Sequence, residues 1–460
     1  DSDRQRMAVM VGNDKGKKIV YAKGAPESIL SLCVSIQTEQ GVRSIEESDK
    51  EKILDCCESM AKEGLRVLAF AFDDETDGSD LEKNLTFAAC AAMEDPPREE
   101  VPAAVETCKN AGIKTVMITG DHKLTAVSIA KKIGMWREDS LALNSHELAD
   151  LDEEGLNGVI DRITVFARVS PQQKLRIVDC LMNKGHVVAM TGDGINDAPG
   201  LRKCHIGVAM GKVGTDVARE AADMVLLDDN FATIVEAIHE GRSIFSNIRK
   251  FIYFLLSVNA GLVAAVLISS FFDWIPMLTP LQLLWINLVT NGMPALALGV
   301  EEPSEGIMEE SPRDPDEDVL ILRDYFNIAI VGTLMAAAAL SLFFLPAKYF
   351  ASAPLEEARG MAFTVLAFTA LIHAFNCRSP FESAFKRLFS NKFLYLAIAL
   401  SALIHLSTIF IESFQPVFKT HCFSLEQWGV VLLLSALPLP LVEVLKFFYR
   451  RSGSSSVFST

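Results

Sequence analysis

The run Thr191-Gly192-Asp193-Gly194-Ile195-Asn196-Asp197 follows the apolar stretch Val187–Met190. Asp193 and Asp197 flank Gly194 on what reads as one loop. Two carboxylates this close make a hard, oxygen-rich site suited to Mg²⁺, which would neutralise phosphoryl oxygens during transfer. Lys174 offers a second positive charge. The Thr119 hydroxyl and the Gly120 N–H can hold a further oxygen, Asp121 completes that second turn, and Asn196 can orient the first loop. Asp/Asn/Gly turns also occur without chemistry. A seven-residue pattern directly after a strand is far more specific than Thr-Gly-Asp alone.

A second cluster lies in apolar sequence. Asn287, Thr290 and Asn291 are spaced i, i+3, i+4 and share one helix face. Gly292 and Pro294 weaken that helix and can free backbone carbonyls. Oxygen-bearing side chains beside freed carbonyls can strip water from a cation. The same residues would serve equally as interhelical hydrogen-bonding groups. Asn259, in the preceding apolar run, can complete the cluster. Nearer the start, Lys23 in Lys23-Gly24-Ala25-Pro26-Glu27 and Arg66 in Leu65-Arg66-Val67-Leu68 are placed to meet a nucleotide phosphate, or simply solvent and an acid.

The elements that must position these groups divide the chain in two. Residues 1–250 hold 31 Lys/Arg and 42 Asp/Glu, against 12 and 17 in the remaining 210. In the first part, Lys17–Ala22, Ile113–Thr119, Ile160–Ala167, Val187–Met190 and Ile206–Met210 read as strands alternating with helices such as Leu124–Ile133. That order argues a wound parallel α/β sheet, whose ligands sit at the carboxyl ends of the strands. Both acidic turns fall there.

The second part carries six apolar runs: Phe251–Phe272, Ile275–Val300, Tyr325–Pro346, Met361–Cys377, Phe393–Ile411 and about Phe423–Phe448. A bilayer core takes about 20 apolar residues per helix, so the chain is expected to cross a membrane six times. Thr279-Pro280 reads as an N-cap followed by proline at the first helical position. Glu426, Glu443 and Lys446 weaken the last run. Arg242, Arg249 and Lys250 precede the first span, Arg378, Lys386, Arg387 and Lys392 follow the fourth, and Lys446, Arg450 and Arg451 close the sixth. By that asymmetry both ends of the bundle face the cytoplasm. The acidic loop Glu301–Asp318 runs weakly against this.

Composition excludes other classes. The net charge of −16 argues against a nucleic-acid partner, and a 50% hydrophobic content against an acidic disordered chain. The nine cysteines are odd in number and contain no CxxC pair, so they read as reduced thiols.

Taken together, the motifs KGAPE (Lys23–Glu27), DPPR (Asp95–Arg98), TGD (Thr119–Asp121), TGDGINDAPGL (Thr191–Leu201), DDNF (Asp228–Phe231) and NLVTNGMPALALG (Asn287–Gly299) resemble the P-type ATPases, in their calcium-pump-like branch. The resemblance covers nearly the whole chain. It implies a remnant of a nucleotide-binding domain at 1–92, an incomplete haloacid-dehalogenase-like α/β phosphorylation domain at 93–240, an α-helical membrane bundle of six spans at 241–448, and a disordered tail at 449–460. It implies that Lys23 and Arg66 contact ATP and that Asp95–Arg98 form a hinge. Thr119, Gly120 and Asp121 would bind the phosphoryl group, with Lys174 steadying it. Asp193 and Asp197 would hold Mg²⁺, supported by Asn196. Asn259, Asn287, Thr290 and Asn291 would hold the transported cation, in the cell membrane.

The departures shape the rest. The family nucleophile, the aspartate of DKTGT, is not in this sequence, and the resemblance places it, with the central strand, upstream of Asp1. The actuator domain and the first four spans are absent too. The chain is therefore expected to be inactive alone and to work with an N-terminal half carrying the nucleophile. Two-site calcium pumps carry a glutamate where Leu262 stands and an aspartate where Asn291 stands. Ca²⁺ is the first expectation, with a monovalent cation or a proton as the alternative. A membrane-tethered phosphatase of the dehalogenase type and a non-catalytic subunit are the alternatives of another class.

Overall fold

The computed structural model describes residues 6–12, 18–62, 65–74, 82–93, 96–271, 277–345, 354–379, 382–386 and 389–451. Asp95 and the tail Ser452–Thr460 lie outside the described residues. The chain divides into two compact units, Asp1–Val235 and Glu236–Thr460.

The first unit begins with six strands: β1 (Arg6–Gly12), β2 (Lys18–Gly24), β3 (Cys33–Thr38), β4 (Gly41–Ser44), β5 (Arg66–Asp73) and β6 (Leu85–Met93). They form one sheet in the order β1-β2-β5-β6-β3-β4, antiparallel except for β3 beside β6. Strand alternation sorts the side chains. Val20 and Ala22 of β2 and Ala69 and Ala71 of β5 face a core closed by helices α1 (Pro26–Leu30) and α2 (Glu47–Lys62). Tyr21 and Lys23 point to the other face and are exposed.

Six further strands follow: β7 (Met117–Thr119), β8 (Leu141–Asn144), β9 (Ile163–Ala167), β10 (Ala189–Gly192), β11 (Ile206–Met210) and β12 (Met224–Leu226). All their pairings are parallel, as expected. The expected single sheet is instead two sheets of three, β7-β9-β8 and β10-β11-β12. β7 bonds only β9, and β10 only β11, so both are edge strands among the described residues. The long apolar run Ile113–Thr119 contributes only its last three residues, and the Val187 run enters its sheet two residues late. Helix α3 (Val101–Asn110) precedes β7, and α4 (Lys123–Lys132) follows it.

Two short helices, α5 (Ser145–Ala149) and α6 (Glu153–Val159), precede α7 (Pro171–Asn183), which serves both sheets. Its Ile177 and Cys180 join the core of Phe166 and Ile163, while Val178 joins that of Met190 and Leu201. Ser170 and Gln173 close a capping box at its start, which fixes Lys174 in the first turns. Helices α8 (Ala198–Lys203) and α9 (Asp216–Ala221) complete the unit.

Asp229, just after β12, lies at φ +56°. Its carboxylate accepts the backbone N–H groups of Gly211 (2.7 Å), Lys212 (3.0 Å) and Val213 (2.9 Å). The Lys212 amide foremost, with those of Val213 and Gly211, holds this carboxyl below the usual carboxylate range. A depressed folded-state pKa stabilises fully above the ordinary carboxylate range and is lost as pH falls through the depressed value. Loop 211–213 should therefore loosen on acidification, and Asp229→Ala should loosen it already at neutral pH. Amide hydrogen exchange at Gly211–Val213, corrected for intrinsic rates, reads this directly. Unchanged protection in the variant would contradict the clamp.

Among the described residues, the second unit holds six helices long and apolar enough to cross a membrane: Phe231–Ser270, whose start lies in the first unit, Pro280–Leu298, Leu322–Phe344, Leu355–Asn376, Lys392–Phe410 and Leu425–Arg451. They are the first to sixth spans below. The six spans expected from hydropathy are met in number, while the helix ends differ from the ends of the apolar runs, most at the first span, which starts at Phe231. Thr279 caps the second span as expected, with Gln282 reciprocating (2.8 and 3.2 Å) and also reaching Phe418 O at 2.7 Å. The first and third spans approach closely at glycines. A Cβ on Gly332 would lie 2.9 Å from Ala260 Cβ and 3.0 Å from the Gly261 nitrogen.

The charged ends are neutralised internally. Glu301 accepts from Arg378 Nε (3.0 Å) and Nη2 (2.6 Å) and from Asn391 Nδ2 (2.7 Å), all buried. Arg249 pairs with Asp324 at 2.6 Å. Arg242 donates to the carbonyls of Ile307 and Glu310, both at 2.8 Å. The acidic loop is thus strapped to the start of the first span.

Candidate functional site

The phosphoryl candidates sit on loops that leave parallel strands at their carboxyl ends. β10 delivers Asp193, Asn196 and Asp197. Lys174 Nζ donates to Asp197 Oδ1 at 2.6 Å, and Asp197 Oδ2 accepts the Gly194 N–H at 3.2 Å. Both oxygens of that buried carboxylate are therefore committed. Gly192 is required here, since a Cβ would lie 2.5 Å from Asp197 Cβ. Asp193 differs. Its backbone carbonyl accepts from Thr215 N at 2.8 Å, but its carboxylate is exposed, with no protein partner among the described residues. Asn196 is exposed on the same loop.

At the end of β7, Asp121 N donates to Thr119 Oγ1 at 3.1 Å, and the hydroxyl lies 3.3 Å from Asp121 Oδ2. Thr119 O accepts from Arg168 N at 2.8 Å. This turn is exposed, with the Gly120 N–H at its tip. The donor set fits a hard cation that keeps several waters: one free carboxylate, with a neighbour already held by an ammonium. Among the described residues no cluster of three acidic, His or Cys side chains is ready to cage a metal.

Arg98 and Glu100 meet the acidic motif after β12. Arg98 Nη1 donates to Asp229 O at 2.7 Å, and Asn230 Nδ2 to Glu100 Oε1 at 2.8 Å.

Lys23 lies on the open face of the six-stranded sheet. Its register neighbours are Phe70 on β5 and Met7 on β1, with Tyr21 opposite Phe72. A lysine among aromatic rings suits the face and phosphates of a nucleotide. Arg66 opens β5, but its side chain lies outside the described residues.

In the second span the backbone departs from α-helix. Ile286–Thr290 forms a π-helical turn, and Asn291 N donates to Ile286 O at 2.8 Å. Such turns recur at functional sites. Pro294 lacks an N–H for the carbonyl of Thr290. Thr290 and Asn291 are fully buried, and Thr290 Oγ1 and Asn291 Oδ1 have no partner among the described residues. Asn291 Nδ2 leans on Asn287 Oδ1 at 3.4 Å. Asn259 donates to Leu255 O at 2.9 Å, which turns its amide N–H onto its own helix. Two desolvated, unpaired oxygens are costly unless a ligand meets them. Leu262 is packed in the apolar core.

Sequence reasoning missed the Glu301–Arg378–Asn391 cluster and a polar face on the fourth span, Thr369, His373 and Asn376. The latter's i, i+4, i+7 spacing was the available signal.

Comparison with known proteins gives the following. The family described as "Cation transporting ATPase, C-terminus" matches residues 275–448, and "P-type ATPase, cytoplasmic domain N" matches residues 1–100. The chain is 40% identical to Calcium-transporting ATPase 1 of Bacillus cereus, over 97% of this chain and 52% of that protein. It is 39% identical to a calcium-transporting ATPase of Bacillus subtilis, over 95% and 50%. A probable cation-transporting ATPase F of Mycobacterium bovis is 39% identical, over 93% and 48%. The chain spans about half the length of the curated relatives it matches.

Proposed function

The chain belongs to the calcium-pump-like P-type cation-transporting ATPases, and from that premise we propose that it supplies the phosphoryl-handling and cation-binding parts of an ATP-driven Ca²⁺ pump. The π-turn with its unpaired Thr290 and Asn291 oxygens carries the transport half of this reading. A cation of that size takes six to eight oxygens, and the Asn287 and Asn259 amides and the Thr290 carbonyl extend the set.

Residues 93–240 are read as the phosphorylation domain of haloacid-dehalogenase type and 1–92 as nucleotide-binding. ATP would lie on the Lys23–Phe70–Tyr21 face, with Arg66 nearby. The Thr119 hydroxyl, the Gly120 N–H and the Lys174 ammonium would gather the oxygens of the transferred phosphoryl group. Asp121 orients Thr119. Asp197 pairs with Lys174 and holds it in place. Mg²⁺, held by Asp193 with Asp197 and Asn196 behind it, would supply charge neutralisation to those oxygens. The 460 residues contain no DKTGT, so our reading assigns the aspartate that accepts phosphate to an N-terminal half outside this sequence. A hydroxylamine-sensitive phosphoenzyme on the isolated chain would overturn that assignment. The multi-pass bundle is placed in the cell membrane with both ends cytoplasmic.

Absence of a carboxylate at Leu262 and Asn291 favours a second reading, a monovalent cation or proton as cargo. ATPase activity of the full-length protein decides. The calcium reading expects micromolar Ca²⁺ to stimulate it and Thr290→Val to raise the Ca²⁺ requirement by about tenfold, the equivalent of about 1.4 kcal/mol of lost coordination. Activity indifferent to Ca²⁺ but dependent on K⁺ or pH selects the second.

A further inference from the structure

The fourth span carries buried polar groups that nothing above uses. Thr369 and His373 are 1% exposed and Asn376 is 3% exposed. Thr369 Oγ1, His373 Nδ1, and both Asn376 Nδ2 and Oδ1 have no hydrogen-bond partner among the described residues. Spacing i, i+4, i+7 puts all three on one helix face, over a rise of about 10 Å.

Thr290 aside, several other hydroxyls in the bundle are satisfied. Ser257 donates to Tyr253 O at 2.7 Å, Thr333 to Ala329 O at 2.7 Å, Thr364 to Gly360 O at 3.1 Å, and Ser401 to Val289 O at 3.3 Å. Buried polar atoms are nearly always paired, and each one left unpaired costs about 1–3 kcal/mol. Four of them in a row therefore point to a common partner. A buried water takes two to four polar partners, and neighbouring groups on this face supply them.

The row has an entrance. The Asn376 carbonyl accepts from Lys446 Nζ at 2.8 Å, and the same ammonium reaches Glu382 O at 3.0 Å. Arg378 and its partner Glu301 follow two residues on. His373 Nε2 lies 3.2 Å from Cys377 Sγ, so its Nδ1 edge is the free one. The groups around His373 are Tyr253 and Phe254 of the first span, at ring distances of 6.1 and 6.3 Å, Cys377 of its own helix, and Lys446 of the sixth span.

His405 is a contrast within the same bundle. It is fully buried with an unpaired Nδ1, but Phe363 and Phe368 ring it at 4.7 and 5.6 Å, and Thr364 Oγ1 is 3.4 Å from its Nε2.

We propose that Thr369, His373 and Asn376 line a buried path for water and protons along the fourth span, entered from the end of the bundle where Lys446, Arg378 and Glu301 gather. The path uses none of the Asn287–Asn291 side chains and does not depend on which cation is carried.

Deuterium exchange at the histidine ring C2–H tests it, because that exchange needs both water and a protonated ring. The intact chain in lipid nanodiscs is held in D₂O and each histidine read by mass spectrometry. His373 should exchange several-fold faster than His405, approaching exposed His186. In a Thr369→Val/Asn376→Leu variant that keeps its helical circular dichroism, His373 should slow to the rate of His405. Equal, slow exchange at His373 and His405 in the unsubstituted chain overturns the proposal, and that comparison does not depend on any variant folding. Fast exchange that persists unchanged in the folded double variant overturns the lining assigned here.

Discussion

Asp193→Asn in the full-length protein should lower phosphoenzyme formation from ATP by about 10²–10³-fold, the effect of removing one preorganised electrostatic group from a charge-developing centre. The same substitution should leave the unfolding transition nearly unmoved. Asp193 is exposed, and its carboxylate has no protein partner among the described residues, so its loss breaks no contact. Asp197→Asn is the opposite kind of change. That carboxylate is buried, holds Lys174 at 2.6 Å and binds the Gly194 amide. Its loss should disturb both the fold of the loop and the reaction. Measuring phosphoenzyme and thermal unfolding side by side separates the two roles. Full phosphorylation by the Asp193→Asn protein would remove Asp193 from the Mg²⁺ site, and would favour a non-catalytic role for this loop.

Arg378→Met should destabilise the membrane unit by about 3–5 kcal/mol, since it strands a buried carboxylate. Glu301 sits with its side chain 7% exposed, and Arg378 donates to it through Nε and Nη2, beside Asn391 Nδ2. The companion Glu301→Met/Arg378→Met protein should recover most of that loss, because well-packed apolar residues often replace a buried pair without penalty. Unfolding in detergent, followed by circular dichroism, compares the three proteins. Salt should hardly alter the ranking, since buried pairs are weakly screened. If the double variant is as unstable as Arg378→Met, the cluster is held by shape and not by charge.

Much of this was readable from residue order. Thr191–Asp197 follows a strand because a glycine-rich acidic loop after an apolar run has few other uses in an α/β layer. Thr279 caps the second span as its position before Pro280 and Gln282 implies. The i, i+3, i+4 cluster at Asn287–Asn291 was plain, but the π-turn beneath it was not, because periodicity cannot tell a 3.6-residue turn from a wider one over five residues. Strand ends failed at β7 and β10, where apolar runs are longer than the pairing available on one side. The sixth span looked interrupted by Glu443 and Lys446. In the fold, Lys446 binds two carbonyls and Glu443 accepts the Ala384 N–H at 2.8 Å, so neither charge meets lipid unpaired. The acidic loop that ran against the charge asymmetry supplies Glu301, which neutralises one of the arginines counted there.

The close approach of Ala260 and Gly261 to Gly332 has a mechanical consequence. Helices that meet without side chains between them have little slack at the crossing, so the contact acts as a fulcrum. Gly261 lies 30 residues from Phe231 and 9 from Ser270, arms of about 45 and 14 Å at 1.5 Å per residue. A rigid tilt of the first span about this point moves its Phe231 end roughly three times as far as its Ser270 end, and in the opposite direction. The Asn259 position, two residues from the pivot, hardly translates at all. A cation ligand so placed keeps its distance from its neighbours while the ends of its own helix swing.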